Sequence, residues 1–185
     1  MKFFSYFSVT GFSNSYLMGP EQGGDAILID PGIFDVPLLN LIEKNNLYVK
    51  YILLTHSHES HISGIKTLLK VYESSIYSNS PSILNFPSKK IDEGDELKLG
   101  EYSVLVRKAP AHSGDSLLFI LNNFIFTGDT LFSGTLGSTA DNLSHELLLS
   151  IINEKILTLN DEYFIFPGHG PPTKVGIERI LNPHL

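Results

Sequence analysis

Three of the chain's seven histidines fall within six residues, in Thr55-His56-Ser57-His58-Glu59-Ser60-His61. They follow an apolar run, residues 51 to 54, with the length and flanks of a buried strand. The histidines therefore sit at a strand's C-terminal end, where open α/β sheets place their ligands. His56 and His58 are two apart, so in an extended segment their rings project to the same side. Neutral imidazole is the commonest metal ligand, and rings fixed on rigid backbone begin a site. A His-rich surface loop is the plain alternative, against which the clustering speaks. His112, His169 and Asp129 lie in other polar loops and complete a candidate set with His56, His58 and His61. Three imidazoles and a carboxylate form a four-coordinate shell for a divalent metal, with water as a further ligand. His61 and His169 are then left to start a second shell, with Asp129 bridging. Two metals about 3.5–4 Å apart can generate a hydroxide and polarise a carbonyl or phosphoryl oxygen. His145, inside a helical pattern, and His184, in the tail, are read as solvated.

The elements must bring these loops together. Strands are expected over residues 2–9, 15–18, 26–29, 49–54, 75–77, 102–106, 117–121, 124–126 and 163–166, with a strand-turn-strand over 91–100. Helical patterns run over 37–45, 62–71 and 143–157, the last with Asn142 or Ser144 as candidate cap. Residues 79–90, with Pro81 and Pro87, read as no clear element. Four strands end in polar loops: Asp30-Pro31-Gly32, Thr55 to His58, Thr127-Gly128-Asp129-Thr130 and Pro167-Gly168-His169-Gly170. A fifth loop, Pro110 to Asp115, follows the strand at 102–106. Delivered to one sheet edge, the five would build a single site.

Composition bounds the rest. The 185 residues are 42% apolar and 18% charged, which suits one globular domain over 1–185. A formal charge of −7 argues against nucleic acid or an anionic membrane as partner and leaves a small-molecule substrate. With no cysteine, a metal must be held by nitrogen and oxygen alone. No apolar run is long enough to span a membrane and no cleavage site follows the N-terminus, so a cytoplasmic protein is expected. Oligomeric state is not readable.

The motifs, in their order, resemble those of the metallo-β-lactamase-fold superfamily. Residues 55–61 resemble its Thr-His-x-His-x-Asp-His signature. Ala26 to Gly32, Pro110-Ala111-His112, Thr127 to Phe132 and Pro167 to Gly170 resemble its other motifs. The ending, Gly-Pro-Pro-Thr-x-Val-Gly-x-Glu-Arg at 170–179 with Asn182-Pro183, is similar to the short bacterial glyoxalase II-like branch, relatives of hydroxyacylglutathione hydrolase. The resemblance implies an α/β fold, a four-layer αββα sandwich with metals at one edge of its two sheets. It implies hydrolysis of a thioester or related acyl compound by a metal-bound hydroxide, with Asp129 bridging or orienting the water and zinc as the expected metal, iron or manganese being alternatives. The ligand set it carries over is His56, His58, His61, His112, Asp129 and His169.

Two departures qualify the match. Ser60 stands where the family has an aspartate that ligates the second metal, and neighbouring Glu59 is one position off. Gly137-Ser138-Thr139-Ala140 replaces the family's frequent Gly-Arg-Thr-Asp. One tight and one weaker metal are therefore expected. The weakened second site keeps open a mononuclear iron oxygenase resembling persulfide dioxygenases, with His56, His112 and Asp129 as its triad, and a relative whose centre has decayed. With no room for a helical glutathione-binding domain before residue 185, turnover of S-lactoylglutathione is expected to be slow.

Overall fold

The computed structural model describes residues 1–185. One sheet holds β1 (Lys2–Ser8), β2 (Ser13–Gly19), β3 (Gly24–Ile29), β4 (Leu47–Leu53), β5 (Ser75–Ser78), β6 (Ser82–Ile83) and β7 (Phe86–Lys90), in the order β1-β2-β3-β4-β5-β7-β6. After β8 (Glu96–Leu99), β9 (Tyr102–Lys108), β10 (Leu117–Leu121) and β11 (Phe124–Gly128) comes a separate small hairpin, β12 (Leu131–Phe132) and β13 (Thr135–Leu136). With β14 (Phe164–Pro167) and β15 (Thr173–Lys174), the second sheet runs β15-β14-β11-β10-β9-β8. The helices are α1 (Val36–Lys44), α2 (Glu59–Ile62), α3 (Ile65–Leu68), α4 (Asn142–Ile151) and α5 (Val175–Leu181).

Period-two alternation in the strands divides the core into three layers. Tyr16, Met18, Ile27 and Ile29 of the first sheet meet Val104, Phe119, Phe126 and Phe166 of the second. Leu17, Ala26 and Leu28 turn the other way, onto Leu38 and Ile42 of α1 and Ile65 and Leu68 of α3. Leu118, Ile125 and Ile165 face Leu148 and Ile151 of α4 and Val175 of α5. Two sheets packed face to face with helices outside both make the αββα sandwich that the motifs implied, and both outer faces of the strands are apolar because both are covered.

The topology fixes where the strands end. β3, β4 and β5 are parallel, as are β11 and β14. β9 and β11 are each antiparallel to β10 and so point the same way. Parallel strands release their C-terminal loops at one edge, so the five polar loops share a rim.

Some local expectations need correction. The helix expected over 62–71 is two short helices, α2 and α3, and the first begins at Glu59. Gly64 separates them, and a Cβ there would lie 2.5 Å from the Ile33 carbonyl carbon and 2.6 Å from the Pro31 oxygen. That close approach docks His61 under the Asp30-Pro31-Gly32 loop. The cap of α4 is Asp141, whose carboxylate accepts from the Ser144 amide at 2.8 Å, and not Asn142 or Ser144. The helix expected to Leu157 ends its α portion at Ile151 and continues as a π-turn over Ile152–Ile156. Residues 79–90 contain the β6–β7 hairpin, turning through Leu84 and Asn85 at positive φ. Strand β15 and helix α5 leave no clear mark in the sequence, because residues 173–181 are too short and mixed for a periodic signal.

Candidate metal centre

The rim brings together all six residues singled out in the sequence. His56 and His58 lie in the loop after β4, His61 in α2, His112 between β9 and β10, Asp129 after β11 and His169 after β14. The coordinating atoms of His56, His58, His112 and Asp129 all lie within 4.8 Å of one another, as do those of His61, Asp129 and His169. Within the first group, His56 Nε2 and His112 Nε2 each stand 3.0 Å from His58 Nδ1. Ligands about 2.0–2.1 Å from a tetrahedral metal have edges of roughly 3.3 Å, close to this spacing. Asp129 lies between the groups. Its Oδ2 is 3.7 Å from His56 Nε2, 3.6 Å from His112 Nε2 and 3.4 Å from His169 Nε2, and its Oδ1 is 3.4 Å from His61 Nε2. His145 and His184 are exposed and apart from the cluster.

The outer nitrogens set the chemistry of the inner ones. His112 Nδ1 donates to the Ser138 carbonyl at 2.8 Å, and His169 Nδ1 to the Phe12 carbonyl at 2.8 Å. A carbonyl can only accept, so both Nδ1 atoms carry hydrogen. His61 Nδ1 faces Asp30 Oδ2 at 3.1 Å. The Thr55 hydroxyl donates to the same Asp30 oxygen at 2.6 Å and is free to accept from His56 Nδ1 at 3.1 Å. In neutral imidazole one nitrogen donates and the other accepts. Four Nε2 lone pairs and one carboxylate therefore converge on the same small volume with His58 Nδ1. With their outer nitrogens protonated, His56, His112 and His169 offer Nε2 lone pairs inward beside the Asp129 carboxylate, and this donor set fits a divalent cation. His61 Nε2 and Asp129 Oδ1 are moreover buried without a hydrogen-bond partner.

Without metal, protons take part of that role. Burial, with His61 beside it, lowers the pKa of His56 to about 4, so its ring stays neutral. Burial also acts to lower that of His61, but the Asp30 and Asp129 carboxylates prevail and raise it to about 10. Burial works to raise the Asp129 pKa, and the His169 and His61 imidazoles hold it far below the usual carboxylate range. His169 is raised by its contact with Asp129.

Asp30 is the functional residue for which the sequence reading found no role, although its loop was noted. Its carboxylate accepts from the Thr55 amide at 2.8 Å and the Thr55 hydroxyl, and orients His61. Its own backbone has φ of 50°, a conformation that asparagine and aspartate tolerate best among non-glycine residues. The Ser15 hydroxyl at 2.6 Å and the Gly32 amide at 2.8 Å, both donating to its carbonyl, hold it there. The signal was an acid closing an all-apolar strand. The loop of His169 is fixed by Tyr16, whose hydroxyl donates to the Pro167 carbonyl at 2.6 Å, and by the Asn14 amide, which donates to the carbonyls of Pro167 and Gly170. Gly168 must be glycine, since a Cβ would lie 2.3 Å from Asp129 Oδ1 and 2.6 Å from His61 Cε1.

The comparisons with known proteins agree with this architecture. The sequence profile of the Metallo-beta-lactamase superfamily matches residues 9–82. The chain is 31% identical to hydroxyacylglutathione hydrolase GloC of Haemophilus influenzae, over 96% of this chain and 95% of that protein. It is 32% identical to the human mitochondrial persulfide dioxygenase ETHE1, over 92% of this chain and 70% of that one. A crystal structure of TTHA1623 in a di-iron-bound form superposes with a TM-score of 0.84 at 28% identity, covering 98% of this chain and all of that one. On its fold, its rim of histidines and these full-length similarities, the chain belongs to the metallo-β-lactamase superfamily.

Proposed function

We propose that this protein is a metal-dependent hydrolase of a thioester or related small acyl compound, in the manner of the glyoxalase II-like relatives. The observation that carries the reading is the convergence of five imidazole nitrogens and the Asp129 carboxylate, drawn from five places in the chain, on one small volume. His56, His58, His112 and Asp129 would hold a first metal, and His61, His169 and Asp129 a second. We propose zinc, which these nitrogen and oxygen donors suit. When bound, the metal supplies Lewis acidity, acidifying water and polarising an acyl oxygen.

The chain's own residues do the positioning. Asp30 holds His61, the Ser138 and Phe12 carbonyls hold His112 and His169, and Thr55 holds His56, so each ring presents a fixed face. Asp129, reaching both groups, is placed to bridge them and to orient water. His58 and the exposed side of His169 border solvent, which leaves a side open to substrate. The similarity to a hydroxyacylglutathione hydrolase points to a thioester substrate.

A second reading, oxygen chemistry at one iron, is favoured by the equal similarity to a persulfide dioxygenase and by the absence of a carboxylate at Ser60. Metal analysis of protein purified without added metal, followed by assay with S-lactoylglutathione and with simpler thioesters, tests the proposal. Zinc and thioester cleavage are expected. One tightly held iron with oxygen consumption on persulfide would replace the first reading by the second. Absence of metal affinity would remove both.

A further inference from the structure

The C-terminal motif at 170–179 with Asn182-Pro183 contributes only His169's neighbours to the metal cluster, yet it contains a buried carboxyl group. Glu178, in α5, is 1% exposed. Its Oε1 accepts from the Thr173 hydroxyl at 2.7 Å. Its Oε2 accepts from the Asn182 amide at 2.8 Å and from the backbone amide of Gly134 at 3.0 Å. Gly134 lies in the two-residue turn of the β12–β13 hairpin, between the paired residues Phe132 and Thr135. A buried group with three donors and no cation is a clamp, and what it clamps is the segment leading out of Asp129.

That segment touches the cluster on several sides. It starts at Asp129 itself. Phe132 sets its ring edge against His169, with centroids 6.0 Å apart and planes at 86°. Ser138, just past the hairpin, offers the carbonyl that takes the His112 Nδ1 proton. The base of the hairpin is tied to β11, where the Thr127 hydroxyl donates to the Leu131 carbonyl at 2.8 Å. Its tip is tied to α5 through Glu178. A hairpin pinned at one end can pivot, whereas one pinned at both cannot. A pivot would carry the Phe132 ring and the Ser138 carbonyl with it, and with them the two histidines they orient.

Resting on the metal-site reading above, we propose that Glu178 is a positioning residue for the metal cluster: it fixes the β12–β13 hairpin and through it the rings of His112 and His169. The amide in Glu178→Gln preserves the arrangement. Its oxygen can take the Oε2 place and accept from Gly134 and Asn182. Its nitrogen can donate to Thr173, whose hydroxyl accepts as readily as it donates. Asn182 cannot reverse, because its Oδ1 already accepts from the His184 amide at 3.0 Å. Glu178→Ala leaves the buried Asn182 donor unpaired, releases the amide of exposed Gly134 to solvent and so frees the tip.

The test titrates metal-free full-length protein with cobalt(II) and follows both affinity and the visible ligand-field spectrum. Outer groups that orient metal ligands cost about 10–100-fold in affinity when removed. Glu178→Ala should weaken cobalt binding by about tenfold and alter the spectrum, while Glu178→Gln stays within about twofold of the parent. Asn182→Ala, which removes one donor and leaves the carboxyl in place, should fall between them and serves if Glu178→Ala does not fold. A purely structural clamp would lower the melting temperature yet leave affinity and spectrum of the folded protein unchanged. That result for Glu178→Ala or Asn182→Ala overturns the inference, as does a Gln variant as weak as the Ala variant. A parent chain that binds no cobalt overturns the proposed function and this inference together, whereas parental variants on a metal-binding parent overturn the inference alone.

Discussion

His58 is exposed and His61, three residues on, is fully buried, and the same contrast divides the cluster. The group of His56, His58 and His112 is drawn from two loops. Its outer contacts are neutral, a threonine hydroxyl and a peptide carbonyl. The group of His61 and His169 is built on charge. His61 lies between two carboxylates, 3.1 Å from Asp30 and 3.4 Å from Asp129. On the proposed reading the first group would hold a cation by the number of its nitrogens; the second, with two imidazoles and a shared carboxylate, would rely on the field of buried acids. The difference matters at Ser60, which removes a negative charge from the half that depends on charge. Ser60 also lies close under the β1–β2 loop, where a Cβ on Gly11 would stand 3.1 Å from its own Cβ.

The comparison can be broken most sharply in the first group. His112→Ala removes a nitrogen that no neighbour replaces, and metal should be lost from that group along with hydrolysis, by about 10²–10³-fold or more in kcat. Elemental analysis and a thioester assay on the same sample check it. A variant with parental metal content and rate would refute the assignment. Next is Asp30→Asn, nearly isosteric, which strips the negative charge from behind His61. It should weaken the second metal by about 10–100-fold and the first, reached only indirectly through Thr55 and His56, by much less. Equal losses at both sites in a zinc titration would show that the halves are not independent.

Ser60→Asp acts in the opposite direction. It should restore a ligand and a charge to the second group, raise second-zinc affinity by about tenfold, some 1.4 kcal/mol, and move the stoichiometry toward two. Calorimetric titration of the metal-free parent is the critical control, since two equally tight sites there would refute the weak-site argument whatever the variant does. The last effect is on pH. The His61 pKa is raised to about 10 in the metal-free fold, above its ordinary 6.5. Its contribution to metal-free stability is thus fully present below pH 6.5 and fades as the pH rises through about 10. Metal must displace that proton, so zinc affinity of the second group should climb between pH 7 and 9, about tenfold per unit at most. Titrations at one pH in buffers of different ionisation enthalpy should show proton release. No release at pH 8 would mean that His61 is already neutral there.

All six candidate ligands could be read from the chain: His56, His58, His112, Asp129 and His169 close apolar strands or sit in Gly- or Pro-marked loops, and His61 clusters with the first two. The αββα fold was implied by the resemblance of those motifs, in their order, to the family's. Less legible was what holds the ligands. Ser138 looked like a loss, since the family's basic residue is absent there, yet the contact made is by its peptide carbonyl, which any residue supplies. The Phe12 carbonyl behind His169 is equally silent in sequence. The break at Gly64 is hidden in the sequence because the apolar spacing of Ile62, Ile65, Leu68 and Leu69 continues across it, whereas in the fold the Gly64 amide donates to the Pro31 carbonyl at 2.9 Å and not back along a helix.

The sequence by itself determined the donor types and the attachment of most of them to strand ends, because residue identity and two-residue periodicity are local properties; the carboxylate missing at Ser60 was visible only through the resemblance to the family. Tertiary structure alone decided which nitrogen of each ring faces inward. That choice depends on the partner of the other nitrogen: Asp30 lies 31 residues before His61, Ser138 lies 26 after His112, and Phe12 lies 157 before His169. A tautomer is set by a hydrogen bond, and a hydrogen bond between distant residues exists only once the two sheets have packed.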